Sequence, residues 1–293
     1  MTNNRLNNSM ADFLRVFLFV LGLLVGSPAV AFDQAERDRL DRQEQERHEA
    51  RWAFIVDSQF GGRSIGDAEG ILELKAPVVP ADPAVVPISI HAKSPQTVQS
   101  HITRITLLVD HNPAPLAAVF HLGVNIGMAD IATRVRVAEF SNVRAVAEFN
   151  DGRLVMAKRF VKASGGCDVS PFVDQQEVMN RIGTMKLRLP GGPQPGKPSR
   201  VDLMIDHPNY NGMQVSNTPG VYLPVRMLKT VEVSYAGAVL MRIDGHDSLS
   251  HDPQFRFFYV PEGPGALSVR ALDSARATFE QSWPVVMEGA DSR

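Results

Sequence analysis

One cysteine, Cys167, stands in the run Lys162-Ala163-Ser164-Gly165-Gly166-Cys167-Asp168. A single thiol in 293 residues leaves no intrachain disulfide to form, so this sulfur is left over. Three uses compete for it. It could be a buried small hydrophobe, but Gly165, Gly166 and Asp168 are poor core formers. It could be a catalytic nucleophile, yet no local pattern pairs it with a histidine base and an orienting acid. It could be a covalent attachment point, a sulfur on a mobile tether that accepts a group, carries it between partners and releases it. Only the third use rewards two glycines, which remove side-chain restraint immediately before the thiol. The sequence therefore predicts a solvent-accessible sulfur, with Gly165 and Gly166 as the flexible arm and Cys167 as the attachment site. Lys162 is the one cation the local sequence fixes nearby, so no strong depression of the thiol pKa is expected.

Other chemistry is weakly signalled. There is no HExxH, no Cys-x-x-Cys, no Cys-x-x-Cys-His and no glycine-rich phosphate loop after a strand, so neither a cofactor nor a metal is expected. His101, His111 and His121 recur every ten residues, a spacing with no ligand geometry attached when it falls on consecutive strands and loops. Asp202, Asp206 and His207, ahead of Pro208-Asn209-Tyr210-Asn211-Gly212, read as a strand ending in a loop that is either a binding loop or a simple turn. Thirty basic residues against 32 acidic ones, with no basic block, exclude a polyanion footprint and hence nucleic acid.

The elements that must position the thiol follow from periodicity. Residues 1–31 have a secretory plan: Arg5 and Arg15, an apolar stretch Val16–Val25, and Ala29-Val30-Ala31 before Phe32. That stretch is about half of the roughly 20 residues a membrane-crossing helix needs, so a membrane-integral protein is not expected. Residues 32–60 begin as a charged helix and end in Trp52, Ala53, Phe54, Ile55 and Val56, which could dock it. Beyond Gly61-Gly62 the period becomes two. Short segments rich in Val, Ile and Phe follow (88–91, 102–109, 116–122, 133–140, 143–149 and 153–161), separated by turn residues such as Asn150-Asp151-Gly152. Arg134-Val135-Arg136-Val137 alternates as a half-buried strand does. Seven further segments, 185–189, 200–206, 225–234, 238–243, 254–260, 267–271 and 275–283, suit an immunoglobulin-like sandwich. The fold class is thus all-β: two immunoglobulin-like β-sandwiches in tandem, residues 61–170 and 182–288, after a signal peptide and a short charged helix.

The segment from Ile71 to Cys167 resembles SoxY, the sulfur-carrier subunit of the periplasmic sulfur-oxidation system. The resemblance rests on Leu74-Lys75-Ala76-Pro77, Val109-Asp110-His111-Asn112-Pro113-Ala114-Pro115-Leu116, Ala145-Val146-Ala147-Glu148 with Asp151-Gly152, and Gly165-Gly166-Cys167. The segment from Met185 to Val286 resembles its partner SoxZ through His207-Pro208, Gly212-Met213, Val231 to Gly237 and Pro253 to Phe258. The resemblance implies two subunits fused in one chain, a cysteine that holds sulfur intermediates covalently, and no enzyme activity of its own. Fused proteins of this kind also accompany periplasmic quinoprotein dehydrogenases, so thiosulfate-derived sulfur is not assumed as the cargo. Two departures stand out: Asp168 follows the cysteine where the family usually has glycine, and the arm continues into a second domain instead of ending. The expected partners are periplasmic oxidising enzymes, c-type cytochromes or a quinoprotein dehydrogenase. The alternative is an adaptor that docks such an enzyme by its surface and does not use the cysteine.

Overall fold

The computed structural model describes residues 34–93, 96–168 and 174–287; the expected signal peptide lies outside them. Helix α1 spans Gln34–Phe60. Its first part, up to Ala50, is a compact unit of its own, charged, mostly exposed and laced by pairs such as Glu36 with Arg39 at 2.5 Å. From Arg51 the chain belongs to the body. Of the predicted docking residues, Ile55 is buried with Leu108, Val146 and Leu154, joined by Phe60, and Trp52 packs beside them, whereas Phe54 stays exposed.

Strand β1 (Gly66–Asp67), β2 (Leu72–Lys75), β3 (Val86–Ala92), β4 (Ile102–Val109), β5 (Leu116–Leu122), β6 (Asp130–Val135), β7 (Ser141–Phe149) and β8 (Leu154–Val161) make the first half. After the short helix α2 (Gln175–Arg181), capped by the Asp174 carboxylate, come β9 (Met185–Arg188), β10 (Ser199–Ile205), β11 (Leu228–Tyr235), β12 (Ala238–Gly245), β13 (Gln254–Tyr259), β14 (Gly265–Asp273) and β15 (Thr278–Val285). The all-β fold class is borne out, and all seven segments expected in the second half are strands. Two short strands of the first half, β1 and β2, were not expected.

The halves are joined edge to edge. One sheet of nine strands runs β1-β8-β7-β4-β5-β12-β11-β14-β15, and one of six runs β2-β3-β6-β13-β10-β9. The seam is antiparallel in both: Phe120 faces Ile243 where β5 meets β12, and Ala132 faces Arg256 where β6 meets β13. One hydrophobic cluster therefore draws on both halves, with the rings of Phe120 and Phe255 meeting edge to face at 6.4 Å. The turn at Asn150-Asp151-Gly152 joins β7 to β8 as its sequence predicts, with Gly152 at φ +85°.

Candidate functional site

Cys167 is not exposed. It is 2 % accessible, and the arm that carries it is seated on the body, which corrects the expectation of a free thiol on a flexible tether. The Gly165 amide donates to the Ala138 carbonyl at 2.9 Å and the Gly166 amide to that of Val137 at 3.0 Å. The physical reason lies in what the glycines are for. Gly165 adopts φ +78°, which L side chains rarely take. At Gly166 a Cβ would stand 2.1 Å from the Pro83 carbonyl oxygen and 2.7 Å from that of Val137. The pair permits close approach of two backbones, and the contact removes the freedom that the sequence suggests.

The seat has three walls. The first is the strip that leaves β6, residues 136–138, held by Asn112. The Asn112 side chain donates to the Arg136 carbonyl at 2.8 Å and to the Ser248 hydroxyl at 2.7 Å, and its oxygen accepts from the Ala138 amide at 2.8 Å. The Asp110-His111-Asn112 motif thus bridges strip and second half. The second wall is the loop after β10, where the Gln214 amide donates to the Cys167 carbonyl at 2.9 Å. That loop is packed against the body: His207, Asn209, Tyr210 and Gln214 are all buried.

The third wall is Arg136. Alternation along Arg134-Val135-Arg136-Val137 predicts an outward side chain, but β6 ends at Val135 and Arg136 turns in, 1 % accessible. Its Nη1 donates to the carbonyls of Asn209 at 2.7 Å, Leu249 at 2.9 Å and Asp247 at 3.5 Å, and its Nη2 to that of Pro208 at 3.2 Å. Nε has no acceptor among the described residues. No sequence signal marked Arg136 or Gln214 as members of the site; Asn112 appeared only within a family motif.

Electrostatics follows from this burial. Desolvation pushes the Cys167 thiol up to about 11, outweighing the opposing pull of Arg136, while Asp168 and Asp247 add to the rise. Desolvation also brings Arg136 down to about 10, against the fields of Cys167, Asp247 and Tyr210. At neutral pH the docked sulfur is a protonated thiol.

The remaining histidine and acid positions lie elsewhere. His121 Nε2 meets Asp244 at 2.8 Å, His101 Nδ1 meets the Thr97 carbonyl at 2.9 Å, and the His111 amide donates to the Ser141 hydroxyl. Asp202 pairs with Arg200 at 2.6 Å and Asp206 with Arg181 at 3.5 Å. His207 is buried with Nδ1 2.9 Å from Asn209 Oδ1 and Nε2 3.7 Å from Asp273. Among the described residues no group of three or more His, Cys, Asp or Glu could hold a metal ion, and no helix is long and apolar enough to cross a membrane. A groove of about 340 Å³ on the outer face of the six-stranded sheet, lined by Arg134, Lys186, Arg188 and Arg256 among others, includes neither Cys167 nor Arg136.

Comparison with known proteins agrees with this layout. Residues 56–167 match the family model described as sulfur oxidation protein SoxY, which ends on Cys167, and residues 187–284 match that described as sulphur oxidation protein SoxZ. No curated protein matches the sequence. Among solved structures, the sulfur carrier protein SoxY from Chlorobium limicola f thiosulfatophilum is similar at 22 % identity, covering 41 % of this chain and 98 % of its own, with a TM-score of 0.34. A putative superoxide reductase from Thermotoga maritima is similar at 16 % identity, covering 35 % and 94 %, with a TM-score of 0.30. With both family models matched in order along one polypeptide, the chain belongs to the SoxY and SoxZ sulfur-oxidation families as a fused SoxYZ-like protein.

Proposed function

We propose that this protein is a periplasmic covalent carrier that holds a sulfur-containing intermediate on Cys167 and presents it to oxidising enzymes. The observation that carries the reading is the placement of the chain's one cysteine at the end of a Gly-Gly arm that closes the SoxY half and docks against the SoxZ half. Joining a second sulfur to the thiol removes the thiol proton and two electrons, so a partner must accept those electrons. Periplasmic c-type cytochromes and quinoprotein dehydrogenases are the proposed acceptor classes, and the segment 1–31 is the proposed export signal. Because the docked thiol is buried and protonated, loading requires the arm to leave its seat, over a reach limited by attachment at both ends.

One observation favours a second reading. A cysteine 2 % accessible with its pKa pushed up to about 11 suits an adaptor that docks a dehydrogenase by its surface and leaves the sulfur idle. Intact-mass measurement on protein isolated from its own periplasm separates the two. Mass additions that map to Cys167 are expected of the carrier. A uniformly bare thiol, with a dehydrogenase co-purifying, would replace it with the adaptor.

A further inference from the structure

Alternation decides what the outer face of the six-stranded sheet displays. On β3 and β6 the outward residues Ser89 and Ala132 are small and lie opposite each other in register. On the strands of the other half they are long: Arg256 lies opposite Ala132, and Asp202 and Arg188 continue the same row. A low floor beside a raised one makes the groove of about 340 Å³, and that groove crosses the seam between the halves. Its charge is one-sided. Arg134, Lys186, Arg188 and Arg256 line it, and Asp202 is the one carboxylate among its lining residues. That carboxylate is already taken: Arg200 holds it at 2.6 and 2.9 Å, and Arg256 stands 3.6 Å away. The Asp252 carboxylate, whose field also reaches Arg134, is held by Arg181 at 3.2 Å. Lys186 and Arg188 are exposed and make no side-chain hydrogen bond or ion pair among the described residues. In a chain of formal net charge -2 this groove is a local excess of positive charge.

We propose that this groove is the docking site for an extended, acidic segment of a partner protein. Length argues for a segment. Arg134 on β6 and Lys186 on β9 are three strand spacings apart, about 14 Å. An extended chain turns every second side chain to one side, so three carboxylates span about 13 Å and serve both ends of the groove, which one small anion does not. Exposed cations on an open sheet face also suit a transient encounter, because such charges raise the rate of association more than the affinity. Two residues beyond Arg134, the strip 136–138 seats the arm, so a partner held in the groove stands beside the part of the molecule that carries Cys167. The proposal deepens the carrier reading by naming the face and the chemistry that bring a partner to the arm, and it rests on that reading only for what the partner then does.

The probe is a fluorescent peptide with blocked ends, three repeats of Glu-Thr, set against its Gln-Thr counterpart, and binding to the full chain is read by anisotropy. At low ionic strength the glutamate peptide is expected to bind at least about tenfold more tightly than the glutamine peptide, an advantage that high salt removes. Lys186→Glu together with Arg188→Glu reverses two exposed cations of the groove and should abolish the advantage. Lys158→Glu together with Arg159→Glu makes the same charge change at exposed positions of β8 in the other sheet and should leave it nearly unchanged. Backbone amide shifts of the wild-type chain give a second reading that needs no variant: the glutamate peptide should move amides of β6, β9, β10 and β13. Equal binding of the two peptides, shifts confined to other strands, or an equal loss in the β8 variant would overturn the proposal. Citrate that displaces the peptide as well as the peptide displaces itself would also overturn it, because the groove would then be a site for a small anion. The peptide does not involve the sulfur, so a bare thiol in native protein sinks the carrier reading and leaves the groove standing.

Discussion

Two buried arginines, Arg144 and Arg136, stand near opposite ends of the Asp110-His111-Asn112 motif and are treated in opposite ways. Arg144 on β7 donates through Nε to both oxygens of the Asp110 carboxylate, at 2.7 and 3.0 Å, and its guanidinium lies 4.0 Å from the centre of the Trp52 ring. The Asp110 and Asn112 carbonyls in turn accept from Arg51. Every part of that pair is answered, which is what a structural ion pair needs in a low-dielectric setting. Arg136 has carbonyls only and one idle donor. The difference teaches how the same side chain is buried in two ways: the Arg144 end ties the α1 docking segment to the sheet through a carboxylate, and the Arg136 end is held by backbone carbonyls, with Nε left without an acceptor among the described residues.

The largest effect should come from breaking the finished pair. Asp110→Asn leaves Arg144 charged and buried beside a neutral amide, and a loss of roughly 3 to 5 kcal/mol in urea unfolding is expected. A loss below about 1 kcal/mol would mean that the pair is solvated and that the contrast with Arg136 is false. Next in size is Gly166→Ala. A methyl 2.1 Å from the Pro83 oxygen cannot coexist with the seat, so the arm should undock while the sheets remain. Iodoacetamide labelling of Cys167 at pH 8 is expected to rise at least about a hundredfold over wild type, with circular dichroism unchanged. Labelling equal to wild type would show that the seat does not hold the thiol.

The sheets were legible because period-two patterning reports which face of a strand is buried, and in the second half β10, β13 and β14 carry it cleanly. β2 was missed because Leu72–Lys75 gives only two alternations, and β1 because Gly66–Asp67 is too short to carry any pattern. The seat was not legible for a different reason. Flexible and tightly packed glycines look the same in sequence, and only the position of the Pro83 carbonyl, over 80 residues away, decides which Gly166 is. Arg136 misled in the same way: alternation assigns it to solvent, and the strand's end at Val135 hands it to the core.

A smaller effect should sharpen the role of the loop that faces the arm. Burial holds His207 and His251 down to about 4, although Asp273 and Asp252 respectively oppose the shift. A base whose folded-state pKa lies below its unfolded value of 6.5 lets the unfolded chain take up protons first. Stability is therefore full above pH 6.5 and falls progressively as pH drops toward 4. Melting temperature should decline over that window, and His207→Asn should flatten part of the decline. A melting temperature independent of pH between 6.5 and 4 would mean that neither ring is buried as described.

The smallest expected effect concerns the sulfur itself. In the seat the thiol is held at about 11 against an ordinary 9.0, so the docked arm stabilises the protonated form. An acid whose pKa is raised on docking favours docking fully below pH 9, and that preference is lost between 9 and 11, tenfold for each pH unit. Amide exchange at Gly165 and Gly166, corrected for its intrinsic dependence on hydroxide, should show this loss in wild type. Cys167→Ser removes the titration but places a hydroxyl where the thiol was buried, and a buried hydroxyl without a partner costs about 1 to 3 kcal/mol. The serine arm should thus be looser than wild type at pH 7 and show no further loosening from 9 to 11. Cys167→Ala, which buries no polar atom, should sit closer to wild type at pH 7 and be equally flat above it. If serine and alanine arms both kept the wild-type pH profile, the titrating group would lie elsewhere in the seat, and the reading of the docked sulfur as a thiol held protonated by burial would have to be abandoned.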